Sequence, residues 1–201
     1  MVSRKEKEIE FKENLIIEAA EKLFLESGFE NTKMEDIAAQ ADYTKPTLYK
    51  YFTCKEEILL AVYMRGWNRS FELIKKAADS KEKGYDKLLA AAKSYNNFFS
   101  KNSIYFSLLK YVHDKGIKLC DSNHKREQDL ENESKKKLKL FTEIIKKGIE
   151  DKSISPEIEP KIAVNYFLNN LYINMHTKHN KKVVSKDFLR KATKMMMRVF
   201  K

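Results

Sequence analysis

TKMEDIAAQADYTKPTLYKYFTCK, residues 32–55, is the stretch that decides the fold. Apolar residues recur at three- and four-residue steps on both sides of Asp42-Tyr43, which indicates two short helices. Aspartate is among the few residues other than glycine that tolerate positive φ, so Asp42 predicts a tight turn between them. Two short helices joined by such a turn indicate a helix-turn-helix motif.

Capping residues predict where these helices begin. Thr32 and Glu35 have capping-box spacing, so we expect the first of the two helices to begin at Thr32. Thr44 is expected to cap the second, and Pro46 is tolerated in its first turn because no intrahelical partner exists there for an N–H group.

The outer face of the short helix after Thr44 carries side chains suited to a DNA groove. Leu48 and Phe52 are expected to point into the core, and the free N–H groups at the helix start add hydrogen-bond donors. The residues left on the outer side are Lys45, Thr47, Tyr49 and Lys50. This arrangement predicts insertion into a major groove, with flanking phosphates held by Thr32, Tyr49 and Lys55.

Lys55 stands at the start of a long fourth helix. Thr53 and Glu56 repeat the capping-box spacing and predict that start. A cation in the first turn opposes the helix dipole, so a neighbouring phosphate would explain Lys55.

Composition favours an all-α protein. The 201 residues include only 5 Gly and 3 Pro, with 42% hydrophobic and 34% charged residues. No run approaches a membrane span of about 18 apolar residues, and the first residues lack the apolar region of a secretory signal. We therefore expect a cytoplasmic protein in which Cys54 and Cys120 are reduced thiols.

The net charge of +11 does not point to the helix-turn-helix. Residues 1–100 carry as many acidic as basic side chains, so the whole excess lies in the second half. The lysine-rich run at 135–139 predicts a solvated face of a long helix; the alternatives are an acidic ligand or a contact with nucleic acid far from the helix-turn-helix. The DNA-binding prediction therefore depends on pattern and not on total charge.

Hydrophobic periodicity predicts about nine helices. The first covers residues 5–27 and ends at Gly28; the fourth runs from residue 55 towards 79, where Gly66 indicates a bend or a close helix contact. The others are expected at 85–99, 104–113, 121–151, from Ser155-Pro156 to about 179, and at 187–201. The last two are apolar enough to pair with a second copy as a four-helix bundle.

The N-terminal pattern resembles the DNA-binding domain of TetR-family transcriptional regulators over about residues 9–64. The residues that carry the resemblance are Ile16-Ile17-Glu18-Ala19-Ala20, Leu23-Phe24, Gly28-Phe29, Thr32, Asp36-Ile37-Ala38, Ala41, Thr47-Leu48-Tyr49, Tyr51-Phe52, Lys55-Glu56 and Ile58-Leu59. Three positions depart from the family pattern: Asp42 replaces the usual glycine, Tyr43 a small aliphatic residue, and Lys33 a frequent second threonine.

The resemblance implies a set of DNA-binding residues. They are Thr32, Lys33, Thr44, Lys45, Pro46, Thr47, Tyr49, Lys50 and Lys55. Arg4, Lys5 and Lys7 form either a solvated helix end or a basic arm that reaches DNA.

The resemblance also implies an Ω-shaped homodimer. A DNA-binding domain, residues 1–54, would precede an effector-binding and dimerisation domain, residues 55–201. Two recognition helices roughly 34–36 Å apart would bind a pseudo-palindromic operator. A small apolar or aromatic effector would move the fourth helix, widen that separation and release the repressor from DNA.

Aromatic residues concentrate in the middle helices, where the family holds its ligands. They are Trp67, Tyr95, Phe98, Phe99, Tyr105, Phe106, Tyr111, Phe167 and Tyr172. They are either core residues or the lining of the effector pocket.

Nothing in the spacing indicates an enzyme, a cofactor or a metal. The sequence contains no glycine-rich phosphate loop and no nucleophile elbow, and the pair His176/His179 is a weak metal signal. Two alternatives stay open: a small helical enzyme using His113, His124 or His176, and a ligandless scaffold with a vestigial DNA motif.

Overall fold

The computed structural model describes residues 3–116, 124–180 and 187–201, and within these ranges it is helical without strands. The helices are α1 (Arg4–Ser27), α2 (Met34–Gln40), α3 (Lys45–Tyr49), α4 (Lys55–Asp79), α5 (Gly84–Lys101), α6 (Ser103–Lys115), α7 (His124–Glu150), α8 (Pro160–Asn180) and α9 (Phe188–Met197), followed by a 3₁₀ turn, Arg198–Phe200. The all-α prediction is confirmed. In the described ranges no helix is both long and apolar enough to span a bilayer.

The ends of α1 follow from local chemistry. Ser3 Oγ accepts from the Glu6 N–H at 3.2 Å, and the Glu6 carboxylate accepts from the Ser3 N–H at 2.7 Å. Gly28 has φ of 80° and donates its N–H to the Phe24 carbonyl at 3.1 Å. Glycine takes this φ without steric cost, so the predicted stop at Gly28 is confirmed.

Two predicted helix starts are displaced. α2 begins at Met34 because Asp36, and not Glu35, accepts the N–H of Lys33 at 2.9 Å, just before the helix. α4 begins at Lys55 as predicted, although Glu57, and not Glu56, accepts the Thr53 N–H at 2.8 Å.

The second displaced start is that of α8. Pro160, and not Pro156, is its first residue. The Ser155 N–H donates to the Phe200 carbonyl at 3.1 Å, so this segment is held by a contact with the far end of the chain.

The chain forms two compact units. Unit 1 contains the residues up to Trp67 and Ile104–Leu130; unit 2 contains Asn68–Ser103 and Glu131–Lys201. The functional boundary at residue 54 is a different division, and it stays a prediction.

Unit 1 has a small apolar core under the predicted helix-turn-helix. Ile16, Ile37, Leu48 and Phe52 are fully buried, and each contributes about 1.5–3 kcal/mol through burial. α1 packs on α2, and α2 on α3, so α3 is fixed from its inner side.

Gly66 allows close contact between α4 and α6 within unit 1. A Cβ atom added at Gly66 would lie 2.2 Å from the ring of Tyr105. Of the two interpretations of this glycine, close packing is therefore the one that the structure supports.

A second glycine contact holds unit 2 together. A Cβ atom at Gly84, the first residue of α5, would lie 2.2 Å from the backbone nitrogen of Gly148 in α7. The Gly84 N–H donates to the Asp151 carboxylate at 2.8 Å, and the Tyr85 N–H donates to Ser153 Oγ at 3.0 Å. The start of α5 is thus seated directly on backbone of α7.

The prediction of reduced thiols is wrong for Cys54, which is disulfide-bonded. Cys120, the other cysteine of the chain, lies outside the described residues.

Candidate DNA-binding surface and regulatory core

The turn between α2 and α3 has the predicted geometry. Asp42 has φ of 57°, and the Tyr43 N–H donates to the Ala38 carbonyl at 2.9 Å. Aspartate therefore supports the left-handed conformation that glycine usually takes at such a turn.

α3 begins as predicted. Thr44 Oγ1 accepts the Thr47 N–H at 3.4 Å, and the two hydroxyl oxygens lie 2.9 Å apart. Pro46 stands in the first turn, where it costs no intrahelical hydrogen bond.

The outer side of α3 is open to solvent. Thr44, Lys45, Pro46, Tyr49 and Lys50 are exposed, and Thr47 is half-buried. Lys33, at the start of α2, is exposed in the same unit. These seven residues of the predicted set lie where a partner can reach them; we call them the reader surface.

Lys45 is not a free cation within the reader surface. Its ammonium pairs with the Glu35 carboxylate and lies 6.0 Å from the centre of the Tyr49 ring. This hydrogen-bonded pair lowers the pKa of Glu35 and raises the pKa of Lys45. A phosphate that binds Lys45 must therefore compete with Glu35.

Thr32 is placed differently from the prediction. Its side chain is 2% exposed, and Oγ1 donates to the Gly28 carbonyl at 2.8 Å. A buried hydroxyl that satisfies the end of α1 cannot reach a phosphate without rearrangement, so Thr32 lies outside the reader surface.

Lys55 is also occupied. Its ammonium donates to the carbonyls of Phe29 at 2.7 Å, Glu30 at 3.2 Å and Thr32 at 2.8 Å, and it lies 4.3 Å from the centre of the Phe29 ring. An ammonium has three donors, so these contacts use all of them. The structure therefore gives Lys55 a structural role in place of the predicted phosphate contact.

Lys55→Met is expected to lower the free energy of unfolding by about 2 kcal/mol, because charge-assisted hydrogen bonds to loop carbonyls are lost. Lys50→Met, which removes an exposed ammonium of the same size, is the control and should stay within about 0.5 kcal/mol of the original protein. Urea unfolding measures both. Equal stability of the two variants, with DNA binding lost in Lys55→Met, would restore the phosphate role.

Residues after α5 contact α1 and the segments that flank the helix-turn-helix within unit 1. The Arg126 guanidinium, near the start of α7, donates to Glu13 at 2.9 Å and lies 4.4 Å from the centre of the Phe52 ring. Lys115 pairs with Glu30 at 3.0 Å. Sequence periodicity could not reveal these contacts, because they join helices that are far apart along the chain.

Arg65 links α4 to α1 within the same unit. Its guanidinium donates to the side-chain oxygen of Asn14 at 2.9 Å and lies 3.6 Å from the Glu21 carboxylate. Glu21 also accepts the hydroxyl of Tyr105 at 2.6 Å, so α1, α4 and α6 meet at one polar cluster.

The predicted effector-site aromatic residues are divided between the two units. Those in unit 1 are Trp67, Tyr105, Phe106 and Tyr111; those in unit 2 are Tyr95, Phe98, Phe99, Phe167 and Tyr172. Tyr111 and Tyr172 are partly exposed, and the others are buried. Tyr111 packs on Phe29 with ring centres 4.9 Å apart, as a core residue does. A common effector pocket for the nine residues stays a prediction.

The histidines considered for catalysis have simple surroundings where their side chains are described. His113 Nδ1 lies 3.1 Å from the Asp114 carboxylate at the surface, and His176 lies 2.9 Å from the Asn180 amide. Nothing can be said of the His124 side chain, which lies outside the described part. Among described residues, no group of three His, Cys, Asp or Glu side chains is placed to hold a metal ion.

Comparison with known proteins supports the helix-turn-helix assignment. Residues 16–62 match the family described as "Bacterial regulatory proteins, tetR family". The match covers α2 and α3 completely, together with the second half of α1 and the start of α4.

Two relatives from Bacillus subtilis (strain 168) are described as regulators. The uncharacterized HTH-type transcriptional regulator YuxN is 37% identical over 81 residues, which cover 39% of this chain and 28% of YuxN. The fatty acid metabolism regulator protein is 26% identical over 152 residues, which cover 74% of this chain and 73% of that protein.

A solved structure extends the similarity in fold to most of the chain. AibR, solved in complex with isovaleryl coenzyme A and operator DNA, matches with a TM-score of 0.70 at 18% sequence identity. The match covers 94% of this chain and 98% of the AibR chain. The N-terminal helix-turn-helix, residues 16–62, is therefore similar to that of the bacterial tetR-family regulatory proteins, and most of the chain shares the fold of AibR.

Proposed function

We propose that this protein is a homodimeric repressor that binds a pseudo-palindromic operator and releases it when an effector binds. The observation that carries the proposal is the exposed side of α3 above a fully buried inner side. Leu48 and Phe52 fix the helix, while Tyr49 and Lys50 are exposed towards solvent, where DNA bases and phosphates can reach them.

The reader surface provides both kinds of contact that specific recognition needs. Lys50, Tyr49 and Thr47 can reach base edges in a major groove, and Lys33 can hold a flanking phosphate. Lys45 would exchange Glu35 for DNA.

The experiment that tests DNA recognition is selection of duplexes from a random pool, followed by affinity measurements on the selected site. Lys50→Ala is expected to lower the affinity for the selected site by about tenfold and the affinity for random DNA by much less, because a base contact contributes about 1–3 kcal/mol of discrimination. Lys75→Ala, an exposed lysine of α4 in unit 2, is the control and should change neither. Recovery of no enriched site would favour a scaffold with a vestigial DNA motif.

Dimerisation is supported by an exposed apolar stripe on the last helices. Ile162 and Ile173 are exposed on α8 at positions that share one helix side, and Met195 is exposed on α9. α8 and α9 pack on each other in unit 2, so the stripe is one half of a possible four-helix bundle.

The effector class is inferred from the relatives. One is a fatty acid metabolism regulator, and AibR was solved with isovaleryl coenzyme A. We therefore propose an acyl-coenzyme A thioester, whose acyl chain would be held by unit 2 aromatic residues such as Phe98 and Phe167. Release of the selected duplex by acyl-coenzyme A, and not by free coenzyme A, is the expected result.

Arg126 is proposed to transmit effector binding to α3. It joins the start of α7 to α1 and, through Phe52, to the residues that follow α3. Arg126→Leu is expected to leave effector binding intact but to reduce the effector-induced drop in DNA affinity by about fivefold, since allosteric coupling is typically about 1–3 kcal/mol.

The measurement compares operator affinity with and without acyl-coenzyme A. Lys139→Met, an exposed lysine of the same helix, is the matched control and should keep the full response. An unchanged response in Arg126→Leu would assign the coupling to another contact, such as the Arg65 cluster.

A further inference from the structure

Unit 2 contains a groove between α5 and α9 that neither the proposed operator site nor the proposed effector site uses. Its volume is about 650 Å³, within the range of about 300–1,000 Å³ that small-molecule sites occupy. We call it the α5–α9 groove. Its apolar wall is formed by Tyr85, Leu89, Leu189 and Met197.

The charged residues that line the groove are all cationic. They are Lys93, Arg190, Lys194 and Lys201. Asp187 pairs with Arg190 at 3.1 Å, and the Lys201 ammonium lies 5.1 Å from the centre of the Tyr85 ring. Lys93 and Lys194 are exposed, one on each helix. The groove thus combines an apolar wall with a positive rim.

A buried amide in the groove has an unused hydrogen-bonding atom. Asn96 is 8% exposed, and its Nδ2 donates to Thr193 Oγ1 at 2.8 Å, while Oδ1 has no hydrogen-bond partner. The two amide atoms can exchange places, with the Thr193 hydroxyl then donating to Oδ1 and Nδ2 left for a ligand. In either orientation one polar atom of Asn96 lacks a protein partner, and a buried polar atom left unpaired is unfavourable, so a ligand that pairs with it gains affinity.

The groove and the proposed dimer stripe lie on different sides of α9. Leu189, Thr193 and Met197 follow each other at four-residue steps on the groove side. Met195, which is 66% exposed, is two residues from both Thr193 and Met197, which is a rotation of about 200° around the helix. Pairing of α8 and α9 with a second copy would therefore leave the groove open.

We propose that the α5–α9 groove binds an amphipathic organic anion. Its apolar chain lies on the Leu89 wall, its anionic group is held by Lys93 and Lys194, and the Asn96 amide donates to that group. A carboxylate and a phosphate ester share this chemistry, and the choice of probes distinguishes them.

The test is calorimetric titration of the full chain with decanoate, decyl phosphate, decanol and inorganic phosphate. Decanoate and decyl phosphate are each expected to bind with one molecule per protein chain. Decanol is expected to bind about tenfold more weakly, and inorganic phosphate alone should give no detectable heat. The tighter of the two anions identifies the preferred acid group. Equal affinity for decanol, or no binding of either anion at millimolar concentration, would overturn the proposal.

Two variants with matched controls locate the binding. Leu89→Trp fills the groove and should lower the affinity for both anions by about tenfold or more. Leu73→Trp, on the exposed side of α4, should leave that affinity unchanged. Lys93→Gln with Lys194→Gln should weaken them by about fivefold. Lys101→Gln with Lys191→Gln removes the same charge from the same two helices away from the groove and should have no effect. Full affinity in Leu89→Trp would place the anion elsewhere and refute the assignment.

Discussion

Replacing Ile173 with glutamate is expected to convert the protein to monomers and to weaken its binding to a palindromic operator by about 100-fold or more. Ile173 is 56% exposed on α8, and a carboxylate at that position would have to lose water to enter an apolar four-helix interface. A monomer binds one half-site at a time, so it loses the affinity gain of about 10²–10⁴ that two linked sites give.

Sedimentation measures the oligomeric state, and fluorescence anisotropy measures operator affinity. Leu73→Glu is the matched control, because Leu73 is 50% exposed in the same unit but lies on α4. It should leave both quantities unchanged. A dimer that survives in Ile173→Glu and dissociates in Leu73→Glu would move the interface from α8 and α9 to α4.

The second large effect is expected for Gly84→Ala. The new methyl group would meet the backbone nitrogen of Gly148 at 2.2 Å, and backbone cannot move aside as a side chain can. The start of α5 must then shift away from α7 and strain the hydrogen bond from the Gly84 N–H to Asp151. We expect a loss of about 3 kcal/mol or more in the free energy of unfolding.

Gly148→Ala provides a comparison at the same crossing. Its Cβ would first meet the side chain of Ile154 at 2.4 Å, which can change rotamer, so its cost should be smaller. Thermal and urea unfolding of both variants give the ranking. A cost for Gly148→Ala equal to or greater than that for Gly84→Ala would contradict the distinction between backbone and side-chain contacts.

The helix-turn-helix was predictable from sequence because its determinants are local. Asp42 takes the positive φ that its chemistry allows, and Thr44 caps α3 with its own hydroxyl. The start of α2 was misplaced by two residues because neighbouring groups compete for the same donors, whereas α4 begins at Lys55 as predicted. At α2, Thr32 prefers the carbonyl of Gly28, and Asp36 then takes over the cap.

The parts of the site that depend on tertiary contacts could not be predicted. Lys55 was assigned to a phosphate because it opposes the helix dipole, whereas carbonyls from residues more than twenty positions earlier stabilise it. Arg126 had no local signal, and Pro156 and Pro160 fit a helix start equally well until the Ser155–Phe200 contact is known. Aromatic spacing predicted burial correctly for most of the nine residues but could not divide them between two units.

The occupied ammonium of Lys55 has a consequence for ion release. Because Lys55 is not available to phosphates, the reader surface of each subunit contributes only Lys33, Lys45 and Lys50 to phosphate neutralisation. A dimer would then release about five counterions, since each neutralised phosphate contributes about 0.9 to the dependence of log affinity on log salt. If Arg4, Lys5 and Lys7 also reach phosphates, the total rises to about eleven. The slope of log affinity against log salt for operator binding therefore shows whether the first turn of α1 contacts DNA.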